Sequence, residues 1–128
     1  MGRHIRDTGF HDYVVHDLLG TTPGISSRAM FGGWGIYHDG AIFAIMVEGE
    51  FFLKADDEGR RVFEAQGSRP FTYTTRTRPK PVAMPYWLVP GEVMEDKDIF
   101  DGWVIHALRA AALDRSVRST RIRRRSVE

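Results

Sequence analysis

The chain has 128 residues, 42% of them hydrophobic and 12% aromatic, which suits one domain with a packed core of its own. There is no cysteine, so disulfides, thiolate chemistry and sulfur-ligated zinc are excluded. The formal net charge of +1 hides a division: residues 1–114 carry 12 Lys+Arg against 16 Asp+Glu, while residues 115–128 carry six arginines against one glutamate.

In chain order, Phe10 to Leu19 shows helical spacing, with Phe10, Tyr13, Val14, Asp17 and Leu18 on one face, Thr8 as N-cap and Gly20 as the stop. Thr21 to Ser27 contains Pro23-Gly24 and reads as a loop. Arg28 to Phe31 and Trp34 to Tyr37 read as one strand with a bulge or bend at Gly32-Gly33. Asp39-Gly40 between apolar runs is a hairpin signal. Ala41 to Val47 is the longest apolar run. It is strand-sized, short of the roughly 18 residues of a membrane span, and predicts a central strand covered on both faces. Glu48-Gly49-Glu50 turns the chain into Phe51 to Lys54, and Asp56-Asp57-Glu58 opens a helix anchored by Val62 and Phe63 and ended by Gly67. Phe71, Tyr73 and Thr75 alternate as a strand. Val82, Met84, Tyr86 and Leu88 form one face of another, with Pro85 on the opposite face, and a mid-strand proline predicts an edge strand. A last helix is expected from about Asp96 to Leu113, burying Ile99, Phe100, Trp103, Ala107, Leu108 and Ala111. The order predicts an α+β fold: a mostly antiparallel twisted sheet of five or six strands packed with three helices. Residues 1–114 form the domain, and 115–128 a basic flexible tail.

Arg28-Ala29-Met30-Phe31-Gly32-Gly33-Trp34-Gly35-Ile36-Tyr37 resembles the TfoX N-terminal domain family, whose pattern there is Arg-x-Met-Phe-Gly-Gly-x-Gly-aliphatic-Tyr. Phe52 to Asp56, Pro70 to Tyr73, Met84 to Pro90 and the helix ending Ala107 to Ala111 follow in matching order, so the resemblance covers about residues 8–113. It implies an α+β domain and a link to regulation of DNA-uptake competence. It implies no established catalytic residues, and no cofactor is expected.

The residues themselves offer little catalytic chemistry. The glycines at 32, 33 and 35 sit between strand-like pieces with no helix following, unlike a phosphate loop. His4, His11, His16, His38 and His106 lack paired metal-ligand spacing and read as surface residues, so no metal is expected. Glu48, Glu50, Asp56, Asp57 and Glu58 suit a hairpin and a helix start. No Gly-x-Ser-x-Gly elbow supports a hydrolase triad. Trp87 shares a strand face with Pro85, and is either core or, if that face is open, a protein contact. The arginines Arg115, Arg118, Arg121, Arg123, Arg124 and Arg125 either contact nucleic acid through its phosphates or form a solvated end.

Three functions are therefore expected to compete. The first is a cytoplasmic regulatory module that contacts a protein partner and adds non-specific nucleic-acid affinity through its tail, without touching a membrane. The second is a small-ligand binder or enzyme with a pocket between sheet and helices. The third is a domain that only self-associates, as a homodimer. A concave site with convergent polar groups and perturbed pKa values favours the second, and a flat, apolar patch near the edge strand the first.

Overall fold

Turn chemistry lays out the first half of the molecule. A computed structural model describes residues 8–30, 32–74, 77 and 80–127, with the side chains of all of these but Thr8 and residues 117–127. Strands β1 (Ile25–Met30), β2 (Gly33–His38), β3 (Ala41–Val47) and β4 (Glu50–Lys54) form an antiparallel meander. His38 pairs with Ala41 across a two-residue turn in which Asp39 and Gly40 have φ of 49° and 82°, the double left-handed turn that matches strand twist. Val47 pairs with Glu50 in the same way.

Two expectations are corrected here. Gly32-Gly33 does not bend one strand: Met30 pairs with Gly33, and the chain reverses there into a separate strand. Gly32, at φ 75°, supplies the backbone geometry for that reversal. β1 also begins at Ile25, inside the segment read as a loop. A bulge does occur, but between Ile36 and Tyr37, against β3.

The N-terminal helix is α1 (Thr8–Asp12) running into a π-helical segment (Tyr13–Leu18). Leu19 N–H donates to the Val14 carbonyl at 2.9 Å, five residues back. The wider winding turns Val14 and Leu19 inward and leaves Tyr13 exposed, so the buried pair is spaced by five rather than by the α-helical three or four.

Helix α2 (Asp57–Ala65) starts where the acids predict, with the Asp56 carboxylate accepting from Gly59 N–H at 2.8 Å. It ends with Gly67 N–H on the Glu64 carbonyl and Ser68 N–H on the Phe63 carbonyl, the Schellman pattern. β5 (Pro70–Tyr73) and β6 (Val82–Leu88) follow. The sheet order is β1-β2-β3-β4-β6-β5, so β6 is internal and not the edge strand that Pro85 implied. The proline is accommodated because β5 pairs with Val82, Ala83 and Trp87 across a register shift, while the β4 ladder takes Tyr86 to Leu88. Pro85 lies in the irregular stretch between and accepts, through its carbonyl, from Ala55 N–H at 2.9 Å.

Short α3 (Gly91–Met94) leads to α4 (Lys97–Val127), which starts at Asp96, whose side chain accepts from Ile99 N–H. Phe100, Trp103, Val104, Ala107, Ala110 and Ala111 form its buried stripe; Ile99, expected inside, is 47% exposed. The helix continues past Leu113, where its apolar stripe ends. Arginine has high helix propensity, and each added residue extends an existing hydrogen-bonded helix instead of nucleating a new one.

The principal core lies between the sheet and the helices. Phe43, Phe51, Leu53 and Trp87 meet Phe63, Phe100 and Trp103, with Phe63 stacked on Trp103 at 4.4 Å between centroids. Among the described residues, no helix is long and apolar enough to cross a membrane.

Candidate functional site

Alternation along the strands loads the other face of the sheet with apolar side chains too. Ile45, Phe52 and Tyr86 form a second buried cluster there, and Ile42, Val47, Phe71, Met84 and Leu88 pack against it half-buried. The apolar side chains packed against this cluster all come from the strands of the sheet.

This face is concave. A groove of 530 Å³ takes Met30 from one edge strand and Phe71 and Tyr73 from the other, with Ile42, Ile45, Met84 and Tyr86 between them. Five strand-to-strand steps would separate those edges by roughly 24 Å in a flat sheet. One groove can be lined by both only because the sheet is strongly curled. Among the described residues, no charged side chain lines it.

Glycine makes part of this shape. A Cβ on Gly35 would lie 2.6 Å from Met30 Sδ and 3.2 Å from both Ile42 Cδ1 and Tyr37 Cε1, so these three side chains close over bare backbone. A Cβ on Gly33 would lie 1.9 Å from the Met46 carbonyl oxygen, a contact that no rotamer change relieves. The Gly-Gly-x-Gly run therefore sets strand approach and packing. Arg28 stands over the Tyr37 ring at 5.4 Å, beside the groove.

Two polar constellations lie where helices meet the sheet. His11, read as a surface residue, is buried: its ring lies tilted against Trp34 at 4.1 Å between centroids, Nε2 is 2.8 Å from Ser27 Oγ, and Nδ1 is 2.9 Å from Asp12 Oδ1. The sequence separation of 16 between His11 and Ser27 concealed this contact, which ties α1 to β1. Lys54, 8% exposed at the end of β4, donates to Asp114 Oδ2 at 2.9 Å and so pins α4 to the sheet. A cleft of 420 Å³ opens beside that pair, bordered also by Asp56, Met84, Pro85 and Leu113. Among the described residues, no three His, Asp or Glu side chains are grouped to hold a metal ion.

The residues singled out from sequence do not converge. Arg115 donates to the Asp39 backbone carbonyl, so the first tail arginine contacts the β2–β3 turn. The side chains of Arg118, Arg121, Arg123, Arg124 and Arg125 lie outside the described residues. Trp87 is 7% exposed within the principal core, on the helix-covered face. The groove residues themselves were read in the sequence only as strand faces. Met84, Tyr86 and Leu88 were placed together, but the curl that brings Met30 to Phe71 has no local signal.

The family described as the TfoX N-terminal domain matches residues 17–111 of the chain. No curated protein matches it.

Proposed function

The chain belongs to the TfoX N-terminal domain family, and from that premise we propose that it is a regulatory binding module, of the competence-regulator kind, that holds a protein partner on the bare face of its sheet. The observation that carries this reading is the groove itself: 530 Å³, lined by Met, Ile, Val, Phe, Tyr and Trp, with no charged side chain among the described residues that line it. Catalysis needs polar groups converging on a reacting atom, and among the described residues lining this groove none is charged. An apolar side-chain cluster of a partner, such as one face of an amphipathic helix, matches it in chemistry. Methionine at Met30 and Met84 gives a lining that adapts to the shape laid in it.

The arginine segment adds non-specific affinity for nucleic acid by neutralising phosphates, with Arg118, Arg121, Arg123, Arg124 and Arg125 the contributing residues. The cysteine-free composition suits a reducing cytoplasm.

The test is affinity purification of the tagged chain and its Met84→Glu variant from its own cells, with and without nuclease. A protein retained after nuclease and lost with Met84→Glu is the expected result. A partner that the variant still holds, or that nuclease removes, places the contact elsewhere.

A further inference from the structure

The two edges of the sheet are built differently. β5, at one edge, has four residues, begins with Pro70 and joins β6 through a register shift. Shortness, proline and irregularity are the features that stop an edge from pairing with another chain. β1, at the other edge, has six residues, Ile25-Ser26-Ser27-Arg28-Ala29-Met30, in unbroken register with β2. It has no proline, no lysine and no bulge. Among the described residues, no strand pairs with its outer side.

The register states which backbone groups face outward. Asp39 N–H donates to the Gly24 carbonyl at 2.9 Å, so the Gly24 and Asp39 positions are opposed as a hydrogen-bonded pair. Such pairs alternate along an antiparallel ladder. Ser26 with Tyr37, Arg28 with Gly35 and Met30 with Gly33 are therefore the bonded pairs. Ile25, Ser27 and Ala29 direct their N–H and C=O groups away from β2, to the open edge.

We propose that this edge pairs with the same edge of a second copy of the chain, antiparallel, about a two-fold axis at Ser27. In that register, all three outward residues become bonded pairs: Ser27 with Ser27 of the second copy, and Ile25 with Ala29 in both directions. The side chains on the groove side then oppose Ser26 to Arg28, again in both directions, and no like charges meet. An interface related by a two-fold axis must be self-complementary in this way. The His11–Ser27 bond at 2.8 Å holds the middle of β1 in place through its side chain and leaves its outward backbone groups available. The pairing joins two six-stranded sheets into one of twelve strands and sets the two grooves on the same side of it.

The experiment is analytical ultracentrifugation of the full chain and three variants across a concentration series. The unaltered chain is expected at twice 14.6 kDa. Ala29→Pro removes an outward donor and no bond to β2, so it should give a folded monomer, checked by circular dichroism. Ser26→Arg places like charges opposite one another at two symmetric positions and should weaken the dimer about fivefold. Ser26→Glu should tighten it, because it faces Arg28. An unaltered chain that stays at 14.6 kDa at its highest soluble concentration overturns the proposal. So does a dimer indifferent to Ala29→Pro, or one that Ser26→Arg and Ser26→Glu affect alike. Should Ala29→Pro unfold, the two Ser26 variants decide the matter alone. Met84→Glu, in the groove, should leave the dimer intact, which separates failure here from failure of the partner site.

Discussion

On the helix-covered face of the sheet, Phe43, Phe51 and Leu53 are completely or almost completely buried beneath Phe63, Phe100 and Trp103. On the bare face, only Ile45, Phe52 and Tyr86 reach burial, and their neighbours Ile42, Phe71, Met84 and Leu88 are half-covered. Both faces come from the same alternating strands, so the difference is not one of composition. It lies in what packs against each: α2 and α4 on one side, and on the other apolar side chains that come from the sheet itself. The covered face carries the stability of the domain, and the bare face retains apolar area that a partner can still remove from water.

The largest test of that contrast is Phe100→Ala. It empties a fully buried site between α4 and the sheet and should cost about 3–5 kcal/mol, read as a lowered denaturation midpoint with unchanged slope. An unchanged midpoint would mean that α4 contributes no packing. Gly33→Ala comes next. Its new methyl group meets a backbone oxygen, so the strands must separate, and the expected cost is about 1–3 kcal/mol. Gly35→Ala meets side-chain ends instead, chiefly Met30 Sδ, which can swing aside. It should cost less than Gly33→Ala while narrowing the groove, so equal losses in chemical denaturation would show that Met30 is held rigidly.

Asp114→Ala leaves the buried Lys54 ammonium without its carboxylate and should destabilise by about 1–3 kcal/mol. Lys54→Met in the same background should restore most of that loss, because it removes the charge that has lost its partner. A double-mutant cycle by urea denaturation reads this coupling.

The smallest effect on stability is expected from ending the chain at Asp114. That removes the Arg115 contact to the Asp39 carbonyl and the remaining arginines but none of the aromatic core. The melting temperature should hardly move. Binding to unrelated DNA duplexes should disappear with the arginines, and the full chain should show a log–log salt slope of at most about 5. Equal binding by the shortened chain would put the nucleic-acid contact on the body of the domain.

Where local chemistry is decisive, the sequence could be read directly. Asp39-Gly40 announced its hairpin, Asp56 its helix start and Gly67 its helix end, because each depends on backbone conformations and hydrogen bonds within a few residues. Gly32-Gly33 was legible as an interruption but not as a reversal, since the same glycine freedom serves a bulge and a turn. Asp12 and His11 are neighbours in sequence, yet the contact that buries the His11 ring is with Ser27 and Trp34, brought there by the packing of α1 on the sheet.

The sequence by itself determined the apolar runs and turns of the strands, the amphipathic stripe of α4 and the family to which the chain belongs, all consequences of residue type at short spacing. Only the tertiary structure decided that β6 enters the sheet beside β4 and leaves β5 and β1 as its edges. A proline excludes a ladder bond at one position, but strand order follows from which long-range pairing buries more apolar surface, here Leu53 beside Trp87 and Phe52 beside Leu88. The curl that closes Met30 toward Phe71 is likewise a sum over six twisted strands, and no single stretch of sequence contains it.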